Sequence, residues 1–201
     1  MSEKDAALPV KLFGSANAWE KWLEARHAKS LGIWIKLAKR DSGIASITYA
    51  EALDIALCFG WIDGRKEAGG ERHWLQKFTP RTAKSRWSKI NCEKVAKLEK
   101  DGRMRPAGLD AVAKAKADGR WRAAYDSPSR ATVPEDLARA LAKNTKARTF
   151  FETLQSHNRY AILYRVHDAK KPETRARRIS TFVEMLERGE TIHPAKRPSR
   201  K

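Results

Sequence analysis

The sequence between residues 32 and 60 constrains the fold most, because it places a two-faced strand directly before a capped helix. Residues 32–38 alternate aliphatic side chains with Trp and Lys, which predicts a strand whose two faces differ. Thr48 and Glu51 then form a T-x-x-E capping box, in which each side chain accepts a hydrogen bond from the other residue's backbone N–H. An apolar stripe follows and ends at Gly60, a favoured residue beyond a helix C-terminus, so we predict a helix here.

A hairpin follows this helix, and helices alone follow the hairpin. Residues 61–66 and 72–78 predict two strands around the turn sequence Ala-Gly-Gly at 68–70. Beyond residue 85 the apolar side chains recur at helical spacing. The order predicts an α+β fold with a small antiparallel sheet and packed helices, followed by an all-helical C-terminal part.

The stretch YDSPS at residues 125–129, which is rich in Ser and Pro, suggests where the two parts meet. We expect an α+β domain at residues 1–126, a helical part at 127–193 and a basic, disordered tail at 194–201. The helical part opens with a second T-x-x-E pattern, at Thr132 and Glu135, which predicts another capping box.

The charge of the chain favours anionic partners. Its 42 Lys and Arg against 24 Asp and Glu give a net charge of +18. Such a charge attracts nucleic acid, anionic lipid or acidic protein, although a basic surface that only favours solubility remains an alternative. The absence of a signal sequence and of a long apolar run predicts a cytoplasmic protein without a membrane span.

Neither cysteines nor histidines suggest a metal site or a cofactor. Cys58 and Cys92 lie far apart and outside any C-x-x-C pair, so we expect two free thiols. The five histidines show no H-E-x-x-H spacing. No Gly-rich phosphate loop, no G-x-S-x-G and no Cys–His signature occurs, so no catalytic residue is predicted.

The first candidate site is the junction CFGWIDGRK, residues 58–66, where two glycines allow a sharp turn. Aromatic, acidic and basic side chains alternate along the strand and could line a pocket for a small polar ligand. A core Trp beside a surface ion pair is the alternative. The predicted ligand-binding residues are Tyr49, Trp61, Asp63, Arg65 and Phe78.

The second and third candidate sites are cationic. Residues 77–105 contain ten cations and three acids, a net charge of 10 − 3 = +7. Aromatic rings beside cations suit single-stranded nucleic acid, whereas a solvated face with Trp87 in the core is the alternative. On the last helix an Arg cluster either grips an anion or stabilises and docks the helix. The predicted anionic-partner surface is Arg81, Lys84, Arg86, Trp87, Lys89, Arg175 and Arg178.

Several strings together resemble the YdeI/OmpD-associated family of bacteriocin-protection proteins. They are TYAEALDIALCFGWIDG at 48–64, FTPR at 78–81, WSK at 87–89, GRMRPAG at 102–108 and AKKPETRARRI at 169–179. The resemblance extends over roughly residues 10–193. It implies a bacterial α+β protein with a helical C-terminal part that is associated with envelope stress or tolerance of antimicrobial peptides. It implies no particular reaction.

Three functional hypotheses follow. The leading one is a non-enzymatic bacterial stress-tolerance protein, of the type that the resemblance implies, which binds an anionic partner such as nucleic acid or acidic protein. The second is a nucleic-acid-binding protein, whose affinity falls steeply with salt because binding releases counterions. The third is a small-molecule enzyme with a pocket near Trp61 and Asp63.

Overall fold

The computed structural model describes residues 8–194, so all but the first residue of the predicted tail lies outside it. Two compact units make up the fold, one ending at Ala124 and the other beginning at Tyr125. The units meet in sequence two residues before the predicted boundary. That they are domains able to fold independently stays a prediction.

The N-terminal unit is built on a mixed four-stranded sheet. Its strand order is β1-β2-β4-β3, and β1 runs parallel to β2 while the other neighbours are antiparallel. The strands are β1 (Val10–Leu12), β2 (Ile33–Ala38), β3 (Trp61–Ala68) and β4 (His73–Pro80). The helices of this unit are α1 (Ala16–Arg26), α2 (Tyr49–Cys58), α3 (Lys89–Lys100) and α4 (Pro106–Ala117).

The α+β class is confirmed, but the prediction of an antiparallel sheet is wrong at one edge. Because α1 connects β1 to β2, the chain crosses over the sheet and returns in the same direction. The predicted hairpin is confirmed, since β3 and β4 pair antiparallel along most of their length.

The predicted capping box at the start of α2 is confirmed. The Thr48 hydroxyl accepts a hydrogen bond from the Glu51 backbone N–H, and Glu51 Oε2 accepts from the Thr48 backbone N–H at 2.9 Å. These bonds, with the Thr48 hydroxyl first, hold the pKa of the Glu51 carboxyl below its usual value. The box therefore fixes where α2 begins, and with it the position of the junction that follows the helix.

Helices α1 and α2 cover one face of the sheet with an aromatic core. Trp19 lies at its centre and is fully buried, with ring centroids 5.8 Å from Phe78 and 6.3 Å from Trp61. Its indole N–H donates to the Ala52 carbonyl at 3.1 Å, so its one polar group is satisfied inside the core.

Two glycines hold the end of α2 against the start of α4. A Cβ on Gly108 would lie 2.2 Å from the Cys58 carbonyl oxygen, and one on Gly60 would lie 2.7 Å from the Ala107 carbonyl oxygen. Gly60 also has a φ of +72°, which disfavours other residues. The Arg105 N–H donates to the Cys58 carbonyl at 3.0 Å. We call this close approach the glycine joint.

Helices build the C-terminal unit throughout its described residues. They are α5 (Glu135–Ala142), α6 (Thr145–Thr153), α7 (Ser156–His167) and α8 (Pro172–Glu187). Their apolar faces meet in a separate core. Its large buried members include Leu137, Phe151, Ile162, Leu163, Phe182 and Leu186.

The predicted capping box at Thr132 and Glu135 is wrong. Helix α5 begins at Glu135 itself, and its N-cap is Pro134, whose side chain makes no capping hydrogen bond. Proline fixes φ near −65° and sets the entry of the chain into the helix without a hydroxyl cap. Asp136 instead accepts from the Leu137 backbone N–H at 2.9 Å.

Candidate functional site: a cationic loop beside a groove

The five predicted ligand-binding residues do not converge on one pocket. Trp61 and Phe78 are buried in the core. The Tyr49 hydroxyl donates to Asp63 Oδ2 at 2.7 Å, so these two side chains do lie together. Arg65 lies on the opposite face of the sheet, where its guanidinium is 5.7 Å from the Trp34 ring centroid and 2.9 Å from Glu67. Their ligand-binding role stays a prediction.

A groove of about 750 Å³ lies beside the glycine joint. Apolar groups form much of its wall, including Phe59, Trp61 and alanines of α4, whereas Asp63 is not part of its lining. Four of its charged residues form two ion pairs, since Lys114 lies 2.6 Å from Asp110 and Arg120 lies 2.7 Å from Asp118. The enzyme hypothesis, which needs Asp63 in such a groove, gains no support from this geometry.

The loop between β4 and α3 is held by two arginines. The Arg81 guanidinium stacks 3.4 Å from the Trp87 ring centroid and donates to the Arg86 carbonyl at 3.0 Å. Arg120 donates to the Ser85 carbonyl at 2.9 Å. Trp87 is only 1% exposed. Arg81 and Trp87 therefore shape the loop, and the buried Trp87 ring presents no face on which a base could stack.

Exposed cations lie on this loop, at the start of α3, near the end of α4 and just after α4. Lys84, Arg86 and Lys89 are exposed, as are Lys116 and Arg122. Trp121 is half-buried among them, with its ring 4.8 Å from Trp87 and 5.4 Å from the Lys116 ammonium nitrogen. We call these six residues the loop surface: Lys84, Arg86, Lys89, Lys116, Trp121 and Arg122.

Sequence reasoning missed Trp121, Lys116 and Arg122 as members of this surface. The string Arg-Trp-Arg at 120–122 was a usable signal, because it sets an aromatic ring between two cations. It lies more than thirty residues from Trp87, however, and only the fold brings the two rings together.

Arg175 and Arg178 of the last helix make hydrogen bonds within the C-terminal unit, and their predicted role in binding an anion stays a prediction. Arg175 binds Asp136 through two nitrogens, at 2.6 and 2.9 Å, and donates a third hydrogen bond to the Val166 carbonyl at 2.8 Å. Arg178 donates to the Arg165 carbonyl. The Arg175 guanidinium holds the pKa of the Asp136 carboxyl below its usual value. We call this set the arginine clamp; it ties α8 to α5 and α7.

Residues 8–194 offer neither a metal site nor a membrane span. Within that range no cluster of three or more His, Cys, Asp or Glu is arranged to hold a metal ion. No described helix is both long enough and apolar enough to cross a membrane. Cys58 and Cys92 are free thiols, and burial raises the pKa of each.

By its fold, the protein pairs a mixed-sheet α+β unit with a helical unit, and the comparisons with known families follow the same division. Residues 11–111, half of the chain, match the family described as Domain of unknown function (DUF8412), and the chain belongs to this family.

Residues 130–189 match the family described as Bacteriocin-protection, YdeI or OmpD-Associated, which confirms the predicted resemblance. Of the strings that suggested it, the one at 169–179 lies within this match, and the other four lie within residues 11–111. No curated protein and no solved structure matches the chain.

Proposed function

We propose that this chain is a non-enzymatic bacterial stress-tolerance protein of the bacteriocin-protection type, which acts in the cytoplasm by binding an anionic partner. The match over residues 130–189 supports the role. The exposed cations of a loop whose shape is fixed by buried groups support the mode of action.

The rigid loop is the observation that carries the proposal. Flexible cations lose conformational freedom when they bind, and this loss reduces affinity. Here Arg81 and Arg120 bond to loop carbonyls, so the loop backbone is ordered before any partner arrives. Binding through Lys84, Arg86 and Lys89 then requires no further ordering of the loop backbone.

The test is binding of labelled single- and double-stranded DNA and RNA, and of an acidic polypeptide, measured by fluorescence anisotropy across a salt series. In the triple variant Lys84→Glu, Arg86→Glu, Lys89→Glu we expect the affinity to fall at least about tenfold and, for nucleic acid, the salt slope to fall by up to about 3. Unchanged binding in this variant would refute the loop surface.

A second triple variant controls for net charge. Lys21→Glu, Arg26→Glu, Lys29→Glu changes the charge by the same six units on and just after α1, where all three residues are exposed. If the partner recognises the loop surface, this variant loses much less affinity. If both variants lose affinity equally, the attraction belongs to the whole chain, and the assignment to the loop is wrong.

Nucleic-acid binding is the second candidate function, and Trp121 is the observation that favours it. Stacking on an aromatic ring contributes roughly 1–3 kcal/mol per base. Trp121→Ala should therefore weaken single-stranded DNA binding roughly five- to 150-fold and leave binding of an acidic polypeptide nearly unchanged. Trp121→Phe, which keeps a ring, should retain most of the affinity. Equal losses for both partners would argue against base stacking.

A further inference from the structure

A small cavity in the C-terminal unit is walled by three tyrosines. Tyr125, Tyr160 and Tyr164 line a space of about 140 Å³. The rings of Tyr125 and Tyr164 are nearly perpendicular, at 87°, with centroids 5.2 Å apart. The ring of Tyr160 lies 5.8 Å from that of Tyr164. Three aromatic rings therefore lie close together around one small space.

Hydrogen bonding and burial fix this arrangement. The Tyr160 hydroxyl donates to the Asp126 carbonyl at 2.8 Å, which ties α7 to the segment before α5. Burial, with smaller effects of the neighbouring tyrosines and Asp126, raises the pKa of Tyr160 to about 12. Tyr160 therefore stays neutral and keeps this hydrogen bond throughout the ordinary pH range.

The charges around the cavity differ from those of the chain as a whole. The chain has 42 Lys and Arg, yet none of the described residues that line this cavity is Lys or Arg. Besides the tyrosines, Asp126 and His167 are the ionisable residues among the described lining residues. Although the chain has a net charge of +18, no Lys or Arg of the described lining would repel a cation in this cavity.

We propose that this cavity is an aromatic cage for a quaternary ammonium group. The faces of aromatic rings carry partial negative charge and attract cations, most strongly those that are weakly hydrated. A quaternary ammonium needs no hydrogen-bond acceptor, so aromatic rings alone can satisfy it. The volume is below the roughly 300 Å³ at which drug-sized sites begin, so the cavity takes a head group only.

The chain's tyrosines give the test an internal control. It has four, and Tyr49 lies in the N-terminal unit, outside the cavity. Protein carrying ring-¹³C-labelled tyrosine is titrated with choline and followed by NMR. We expect the ring signals of Tyr125, Tyr160 and Tyr164 to shift together and saturate, while Tyr49 stays in place. Equal shifts of all four signals, or none at all, would overturn the proposal.

An uncharged isostere separates cation binding from simple filling of an apolar cavity. 3,3-Dimethylbutan-1-ol has the shape of choline with carbon in place of the charged nitrogen. We expect choline to bind roughly 2- to 30-fold more tightly than this alcohol. If the alcohol binds as well as choline, the cavity is merely apolar and the cage assignment is wrong.

Variants of one tyrosine complete the test. Tyr164→Phe keeps the ring and should keep choline binding, whereas Tyr164→Leu removes it and should weaken binding roughly 2- to 30-fold. Parallel titrations with choline, a trimethyllysine peptide and phosphatidylcholine vesicles distinguish a free solute, a protein tail and a lipid surface as the source of the group. Saturable binding in any arm supports the cage, and its absence from all three overturns it.

Discussion

Each of the two units is stabilised internally by different physical means. The N-terminal unit depends on the glycine joint, where the backbones of α2 and α4 come so close that no side chain fits. The C-terminal unit depends on the arginine clamp, where Arg175 joins a carboxylate and a carbonyl on two other helices. The glycines lie in the strings at 48–64 and 102–108, and Arg175 lies in the string at 169–179. A conspicuous string can therefore reflect packing as readily as ligand binding.

The difference also separates cations that join helices from cations that are exposed on the surface. Arg175 donates to Asp136 and to the Val166 carbonyl, so fewer of its N–H donors are left for another anion. The exposed Lys84, Arg86 and Lys89 extend from a loop that other residues hold in place. Cations of equal charge in the sequence therefore have different places in the fold. Stability measurements can separate those that join helices from those that are exposed on the loop.

The largest expected effect comes from filling the glycine joint. Gly108→Ala places a Cβ 2.2 Å from the Cys58 carbonyl oxygen, so α2 and α4 must move apart. We expect the free energy of unfolding to fall by more than about 3 kcal/mol, or the chain to fail to fold. Denaturant unfolding measures this.

Gly14→Ala is the matched control for the glycine joint. A Cβ on Gly14 would have nothing within 4 Å, and Gly14 does not have a positive φ. We expect its free energy of unfolding to stay within about 0.5 kcal/mol of the unmodified protein. If Gly108→Ala were as mild as Gly14→Ala, the close approach would not be what holds α4 in place.

Breaking the arginine clamp should have a smaller effect. Arg175→Ala leaves Asp136 and the Val166 carbonyl without their donor. We expect the free energy of unfolding to fall by about 2 kcal/mol and no more, because the Arg175 and Asp136 side chains are partly exposed and screened by solvent. Arg177→Ala, an exposed position on the same helix, should change stability by less than about 0.5 kcal/mol. Hydrogen exchange of the α8 amides measures both, and equal effects would refute the clamp.

Features that depend on local sequence could be predicted, and features that depend on distant contacts could not. The capping box of α2 needs only Thr48 and Glu51, so its pattern sufficed. The box predicted at Thr132 failed because Pro134 intervenes and starts the helix later. The direction of β1 depends on a crossover through α1, which no local pattern encodes.

The candidate site follows the same rule. Alternation along β3 showed that Trp61 and Asp63 share a face, but not whether that face would be core or cavity. Trp87 lies among cations in the sequence, yet its ring is buried under Arg81. The cavity of Tyr125, Tyr160 and Tyr164 depends on residues up to 39 positions apart meeting through the helical packing, so periodicity alone could not reveal it.

The clamp also predicts a dependence on pH. The folded-state pKa of Asp136 lies below its usual value, because Arg175 favours the carboxylate. Its contribution to stability is therefore present above the unfolded pKa of about 3.9 and is lost as the pH falls through the folded value. Asp136→Asn should be less stable by about 1 kcal/mol at neutral pH, and the difference should vanish in acid.

Glu135→Gln is the control for this pH dependence. Glu135 precedes Asp136 on α5, but its side chain is 91% exposed and contacts only Arg139 among the interactions described for it. Its replacement should leave both the stability and the acid response almost unchanged. A stability difference for Asp136→Asn that stays constant from neutral pH into acid would show that charge plays no part in the clamp.

The smallest expected effect on stability is that of reversing the loop cations. Changing Lys84, Arg86 and Lys89 to Glu lowers the net charge from +18 by six units and so reduces self-repulsion. Lys89 is the first residue of α3, where an acidic side chain is favoured by the helix dipole. We therefore expect the free energy of unfolding to stay within about 0.5 kcal/mol or rise slightly at low salt. Denaturant unfolding at two salt concentrations measures it. A loss of stability as large as that of Arg175→Ala would mean that these cations support the fold. Their exposure would then no longer be an argument that the loop surface binds a partner.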